Sequence, residues 1–189
     1  MKKRQLVIHY NAPVVLTFAL LSLIVLALDF LTGGRTTTQF FCVYRASFTD
    51  PTTYVRLFGH VLGHADYAHY ISNIMLMLVV GTTLEEKYGS KKLFVCILIT
   101  AGVSGLVQMF FFPDTALLGA SGIVFMMIVL SSLAGMRDGA IPLTLILVVI
   151  LYLGGEIVDA VTLRDSVSQL THIVGGLCGA ALGFAMKRN

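Results

Sequence analysis

The residue with the clearest chemical potential is Ser121, in the run Leu117-Leu118-Gly119-Ala120-Ser121-Gly122-Ile123-Val124-Phe125 at the head of a long apolar stretch. A serine between Gly119 and Gly122 at a helix start offers an exposed hydroxyl, a close backbone approach and amide N–H groups that favour negative charge. Those are the needs of a nucleophile. Small-residue clusters in membrane helices also serve packing, so a catalytic reading requires a base elsewhere. His172 is the candidate: Gly175, Gly179 and Gly183 follow it at three, seven and eleven residues, forming a ridge on which another helix can approach closely. Packing accounts for the glycines but not for an imidazole at their head, because an ionisable group inside an apolar span costs a few kcal/mol, which makes function the default reading. His69 and Asn73 are four residues apart on another apolar segment, so they share a helix face and could point into one pocket. Phe125, one turn after Ser121, either offers an aromatic face to His172 or is a plain core or lipid-facing ring.

The elements that must position these groups are membrane helices. The chain has 189 residues, 57% hydrophobic and only 12% charged, with a mean hydropathy of +0.87, too apolar for an ordinary soluble domain. Hydropathy predicts six spans in a single domain over 1–189, at about 12–31, 67–84, 93–112, 116–136, 141–155 and 168–186. The first follows Lys2, Lys3 and Arg4 and superficially copies a signal peptide, but it is longer than a usual apolar core of one and shows no clear cleavage site, so it reads as a retained helix. Between Thr32 and Gly63 aromatic residues alternate with Arg35, Arg45, Arg56 and Asp50, the composition of a long interfacial loop. Glu85, Glu86, Lys87, Lys91 and Lys92 read as a charged turn around Gly89. The fourth span carries Ser121 in its second turn.

Charge sets the expected orientation. With the N-terminus cytoplasmic, inside segments hold nine of the 13 basic residues: Lys2, Lys3, Arg4, Lys87, Lys91, Lys92, Arg137, Lys187 and Arg188. The even-numbered spans then all run inward from the outer face, each with its polar group near its start, so Ser121, His172 and the His69/Asn73 face fall at similar depth. The net charge of +3 comes with no basic tract, which excludes nucleic acid as an evident partner. Cys42, Cys96 and Cys178 are odd in number, give no disulfide framework and read as free thiols. His60, His64 and His69 at spacings of four and five raise a metal site, but no carboxylate or thiolate is arranged to complete it apart from Asp66.

In Gly119-Ala120-Ser121-Gly122, His172 with its glycine ridge, the His64, His69, Asn73 series, the Glu85-Glu86-Lys87-Tyr88-Gly89 turn and the long first loop, the chain resembles the rhomboid intramembrane serine proteases. The resemblance implies an all-α membrane protein, a six-helix rhomboid-like bundle, and a Ser121/His172 dyad without metal or cofactor that cuts transmembrane segments of other membrane proteins. It further assigns the oxyanion to the Ser121 amide with the His69 and Asn73 side chains, and makes His64, Gly119, Gly122, Phe125, Gly175 and Gly179 structural neighbours of the site. No acid stands where it would orient His172 as in a soluble triad. A catalytically inactive relative that binds transmembrane helices would use the same scaffold. The basic start and compact form point to a bacterial cytoplasmic membrane, with both termini cytoplasmic and transmembrane proteins and the lipid bilayer as partners.

Overall fold

A computed structural model describes residues 10–135 and 166–187, with helical backbone also at Leu143, Ile146, Leu147 and Ile150. The predicted span 141–155 otherwise lies outside the described residues. The helices are α1 (Pro13–Thr32), α2 (Arg35–Phe40), α3 (Pro51–Gly59), α4 (Tyr67–Tyr88), α5 (Ser90–Phe111), α6 (Ser121–Ala134) and α7 (Ser166–Lys187). The only pairing outside helices among the described residues is an antiparallel bridge between Val43 and Leu117. Helices α1, α4 and α5 are each long and apolar enough to cross a bilayer, while α6 and the apolar part of α7 are shorter.

Local chemistry explains the boundaries. Pro13 opens α1, where its missing N–H has no partner to lose, and Gly33 closes it with φ 63°, a left-handed cap free of Cβ strain. Asp66 caps α4 by accepting from the His69 amide at 2.7 Å. Gly89, at φ 83°, is the whole link between α4 and α5.

The core sits where α6 is wrapped by its neighbours: Ile123, Val124, Met126, Met127 and Leu130 are buried against α1, α4 and α5. Against α7 the packing is backbone to backbone. A Cβ at Gly175 would run into the Gly122 carbonyl, and one at Gly179 would lie 2.5 Å from the Met126 carbonyl oxygen. The glycine ridge therefore meets α6, the helix that carries Ser121.

Two features differ from the hydropathy reading in ways that bear on the site and its support. Helix α6 starts at Ser121, not at residue 116, and Ser121 is its first residue rather than part of a second turn. The preceding segment is held extended because Val43 and Leu117 exchange both backbone hydrogen bonds at 2.8 Å, and Gly119 takes φ 116°. The second difference is Glu85. It is no exposed turn residue but a buried one in the last turn of α4, accepting from the Val14 and Val15 amides at 2.9 and 3.0 Å. A carboxylate there satisfies two orphan N–H groups of α1 and complements its dipole. Glu85→Gln replaces one acceptor with a donor facing a donor, so we expect a loss of about 3 kcal/mol, read as a thermal midpoint in detergent lower by on the order of 10 °C. An unchanged midpoint would show that the cap contributes nothing.

The first loop is as ordered as its composition suggested. Asp50 caps α3 and pairs with the buried Arg56 at 3.0 Å, whose guanidinium also lies 4.6 Å from the Tyr44 ring centre. Hydrogen bonds from Thr52, then Arg56, hold the Asp50 carboxyl below its ordinary range.

Candidate active site

Three segments meet near the N-terminal ends of α4, α6 and α7. The Gly119–Ser121 loop is fixed from two sides: Leu117 by Val43, and Gly119 by its amide donating to the His60 carbonyl at 2.9 Å. The first loop thus builds the platform from which α6 and Ser121 start. Ser121 is half-buried, and among the described residues its hydroxyl makes no hydrogen bond.

His69 lies directly over this platform. A Cβ on Gly119 would fall 2.8 Å from His69 Cε1 and 2.9 Å from Nε2, so the contact and the positive φ both require glycine. The Ala65 amide donates to His69 Nδ1 at 3.4 Å, which leaves the proton of a neutral ring on Nε2, the nitrogen beside the loop. Asn73 shares the face of His69 as its spacing predicted, but its Nδ2 donates to the His69 carbonyl at 2.8 Å. That bond takes one amide hydrogen of two.

His172 enters from α7 and is buried. Its ring centre is 6.2 Å from that of Phe125, with the planes at 52°, so Phe125 does stand beside the imidazole. Thr171, next to His172, touches Gly122, next to Ser121: a Cβ on Gly122 would be 3.0 Å from Thr171 Cγ2. Ser121 and His172 therefore stand on adjoining helices at the level where the backbones touch.

His64 stands behind His69 rather than beside Ser121. Fully buried, it packs edge-on against His69 with ring centres 5.1 Å apart and against Tyr70 at 5.6 Å, and Tyr70 is itself anchored by its hydroxyl donating to the Ala19 carbonyl at 3.1 Å. His60, read from sequence as either an interfacial loop residue or a metal ligand, is a buried strut. Its Nδ1 is 3.1 Å from the Leu57 carbonyl and its Nε2 3.3 Å from Ser104 Oγ. Among the described residues no three His, Cys, Asp or Glu side chains gather as a metal site would need.

Sequence reasoning passed over Thr100, Ser104 and Gln108, a buried polar stripe on α5 at intervals of four. Ser104 meets His60, and Gln108 Nε2 donates to the Thr115 carbonyl and hydroxyl at 3.1 and 2.9 Å, bracing the approach to α6. Polar residues on one face of an apolar span were the available signal.

Burial pushes the His60 imidazole from 6.5 down to about 4, and burial with the neighbouring His69 does the same to His64. The unfolded chain protonates these rings near 6.5 and the folded one near 4. Within that window the unfolded state holds more protons, so stability falls as pH is lowered through it and gains nothing further above it. A thermal midpoint in detergent lower at about pH 5 than at about pH 7, with the difference reduced in His60→Gln, is the expected result. Equal midpoints would contradict it.

The Rhomboid domain family model matches residues 51–189. The chain is 27% identical to "Rhomboid protease GluP" of Bacillus subtilis over 190 aligned positions, covering 95% of this chain and 37% of that protein. It is 31% identical to "Rhomboid protease GlpG" of Pectobacterium atrosepticum over 133 positions, 68% of this chain and 47% of that one, and 28% identical to mouse "Rhomboid-related protein 2" over 145 positions, 69% and 47%. The chain spans less than half the length of these curated relatives. The family match extends from α3 through α7 and includes the Gly119–Ser121 loop, His69 and His172, and with its long apolar helices the chain is an integral membrane protein belonging to the rhomboid family.

Proposed function

We propose that this chain is an intramembrane serine endopeptidase in which Ser121 attacks the scissile carbonyl and His172 carries the proton. The single observation that carries the reading is the backbone contact of α6 with α7 at Gly122, Thr171 and Gly175, which brings the serine-bearing and histidine-bearing helix turns together. His172 takes the hydroxyl proton as Ser121 Oγ bonds to the carbonyl carbon, then returns it to the leaving amine as the C–N bond breaks; water, activated in the same way, releases the acyl group. The tetrahedral oxyanion is stabilised by the Ser121 amide, the His69 Nε2–H and the remaining Asn73 amide hydrogen. Phe125 limits how the His172 ring can turn. Donors fixed by the Ala65 and Gly119 contacts need no reorganisation when charge develops, which is where such groups gain their effect.

The substrate class follows from the setting. Polar groups at the outer ends of α4, α6 and α7 are tolerated in a membrane where they line a hydrated hollow, and a transmembrane segment reaching it must unwind to expose a peptide bond. Substrates carrying Gly, Pro or polar residues near the outer end are therefore cut faster than a uniform Leu/Ala helix; equal rates on the two would remove this preference. Orientation with both termini cytoplasmic, in a bacterial cytoplasmic membrane, is part of the same proposal and rests on the nine inside basic residues.

The decisive experiment is cleavage of a model single-span protein in liposomes, combined with labelling by a fluorophosphonate. Wild type cuts and is labelled on Ser121, Ser121→Ala does neither, and His172→Ala loses the labelling. A wild-type protein that binds the substrate helix but neither cuts nor labels is the inactive scaffold instead.

A further inference from the structure

The first turns of α1 and α5 enclose a groove of about 390 Å³. Phe18 and Leu21 form one wall, Phe94 and Leu98 the other, and Phe58 and Val61 of the first loop close the far end. The eight helical steps from Ser90 to Leu98 give the groove a length of about 12 Å, and its walls are hydrocarbon except for Thr17 and Ser90.

The open end, where both helices begin, is cationic. Ser90, Lys91 and Lys92 are the first turn of α5 and both lysines are exposed. Lys91 lies on the same face as Phe94 and Leu98, one and two turns before them. No side chain caps α5, so its first amides and the helix dipole add partial positive charge. The nearby carboxylates are committed: Glu85 to the α1 amides, and Glu86 to Asn11 Nδ2 at 3.5 Å.

We propose that this groove holds an anionic diacyl phospholipid, one acyl chain lying between α1 and α5 beneath the first loop and the phosphate resting on Ser90, Lys91 and Lys92. Charge complementarity selects an anionic headgroup over a zwitterionic one, since each lysine near the phosphate favours it and Lys87, Lys91 and Lys92 outnumber Glu85 and Glu86 at this end. The lipid would brace α1 against α5 at the same end where Glu85 ties α1 to α4.

The full chain in detergent, titrated with phosphatidylglycerol or phosphatidylcholine and followed by native mass spectrometry, tests this. Wild type binds phosphatidylglycerol more tightly than phosphatidylcholine. Lys91→Gln and Lys92→Gln each weaken phosphatidylglycerol about fivefold and leave phosphatidylcholine unchanged. Leu98→Trp, at a partly exposed wall position, fills the groove and weakens both lipids; Leu98→Phe replaces it if the tryptophan lowers the thermal midpoint. Equal wild-type affinity for the two lipids overturns the proposal. So does undiminished phosphatidylglycerol binding in the groove-filling variant, which would give the space to another occupant such as the chain's own N-terminal residues or a second copy.

Discussion

Replacing His172 by alanine is expected to lower the rate of substrate cleavage by on the order of 10⁴, about 5.5 kcal/mol of transition-state stabilisation. The serine hydroxyl is a poor nucleophile at its own pKa, and only a base within hydrogen-bond reach activates it. Ser121→Ala should cost at least as much, and the double variant no more than the worse single one, because two groups passing one proton act as a unit. Cleavage of a single-span substrate in liposomes measures this, with each variant's thermal midpoint showing that the bundle remains assembled. A His172→Ala protein within about tenfold of wild type would remove the imidazole from the chemistry, since general base catalysis is worth at least 10²-fold. So would a double variant whose loss is the product of the two single losses. The geometry is compatible with this expectation although Ser121 Oγ makes no hydrogen bond among the described residues: the contacts fix the two helix turns, and catalytic hydrogen bonds often tighten only with substrate bound.

How much of this could be read from the sequence depended on how local the cause was. Ser121 and His172 stood out because a reactive or ionisable group inside an apolar run is expensive and calls for a reason. The ridge of Gly175, Gly179 and Gly183 pointed to a helix contact, and α6 is what it meets. Hydropathy located α1, α4 and α5 to within a few residues because their length and composition are set by the bilayer itself. The start of α6 was misplaced because Leu117 is as apolar as a helix interior, and only its pairing with Val43, far off in sequence, keeps it extended. Glu85 was misjudged for the same reason: beside Glu86 and Lys87 it looks like a surface charge, while its partners Val14 and Val15 lie about seventy residues away. Asn73 shows the limit of spacing arguments. Its face was predicted, yet the amide can also serve its own helix, and it does.

These long-range contacts give the first loop a mechanical role. Val43 holds Leu117 and the His60 carbonyl holds the Gly119 amide, so the turn that carries Ser121 is suspended from the loop on one side and pressed against α7 on the other. His69 rests on Gly119 in front and on His64 behind, and His64 in turn packs against Tyr70. Rigid support of this kind is what the proposed hydrolysis requires, because misplacing a reacting group by about 1 Å can cost a hundredfold.

That sensitivity makes Gly175→Ala the sharpest test of the α6/α7 contact. The added methyl would collide with the Gly122 carbonyl, a backbone atom that cannot swing aside, so the helices must part at the level of Ser121 and His172. We expect cleavage to fall by about 10² from misplacement alone, with a stability loss of about 1–3 kcal/mol from overpacking. Gly183→Ala is the matched control. Two turns further along the same ridge, its methyl would meet side-chain atoms of Leu133 and Leu130, which can change rotamer, so activity should stay within a few-fold of wild type even if stability drops. Fluorophosphonate labelling of Ser121 separates the two effects, since it reads activation of the hydroxyl without requiring a substrate helix to bind. If both variants lose labelling equally, general destabilisation explains the loss and the contact at Gly175 has no special part. If Gly175→Ala alone loses it, the close approach of the two backbones is what presents His172 to Ser121.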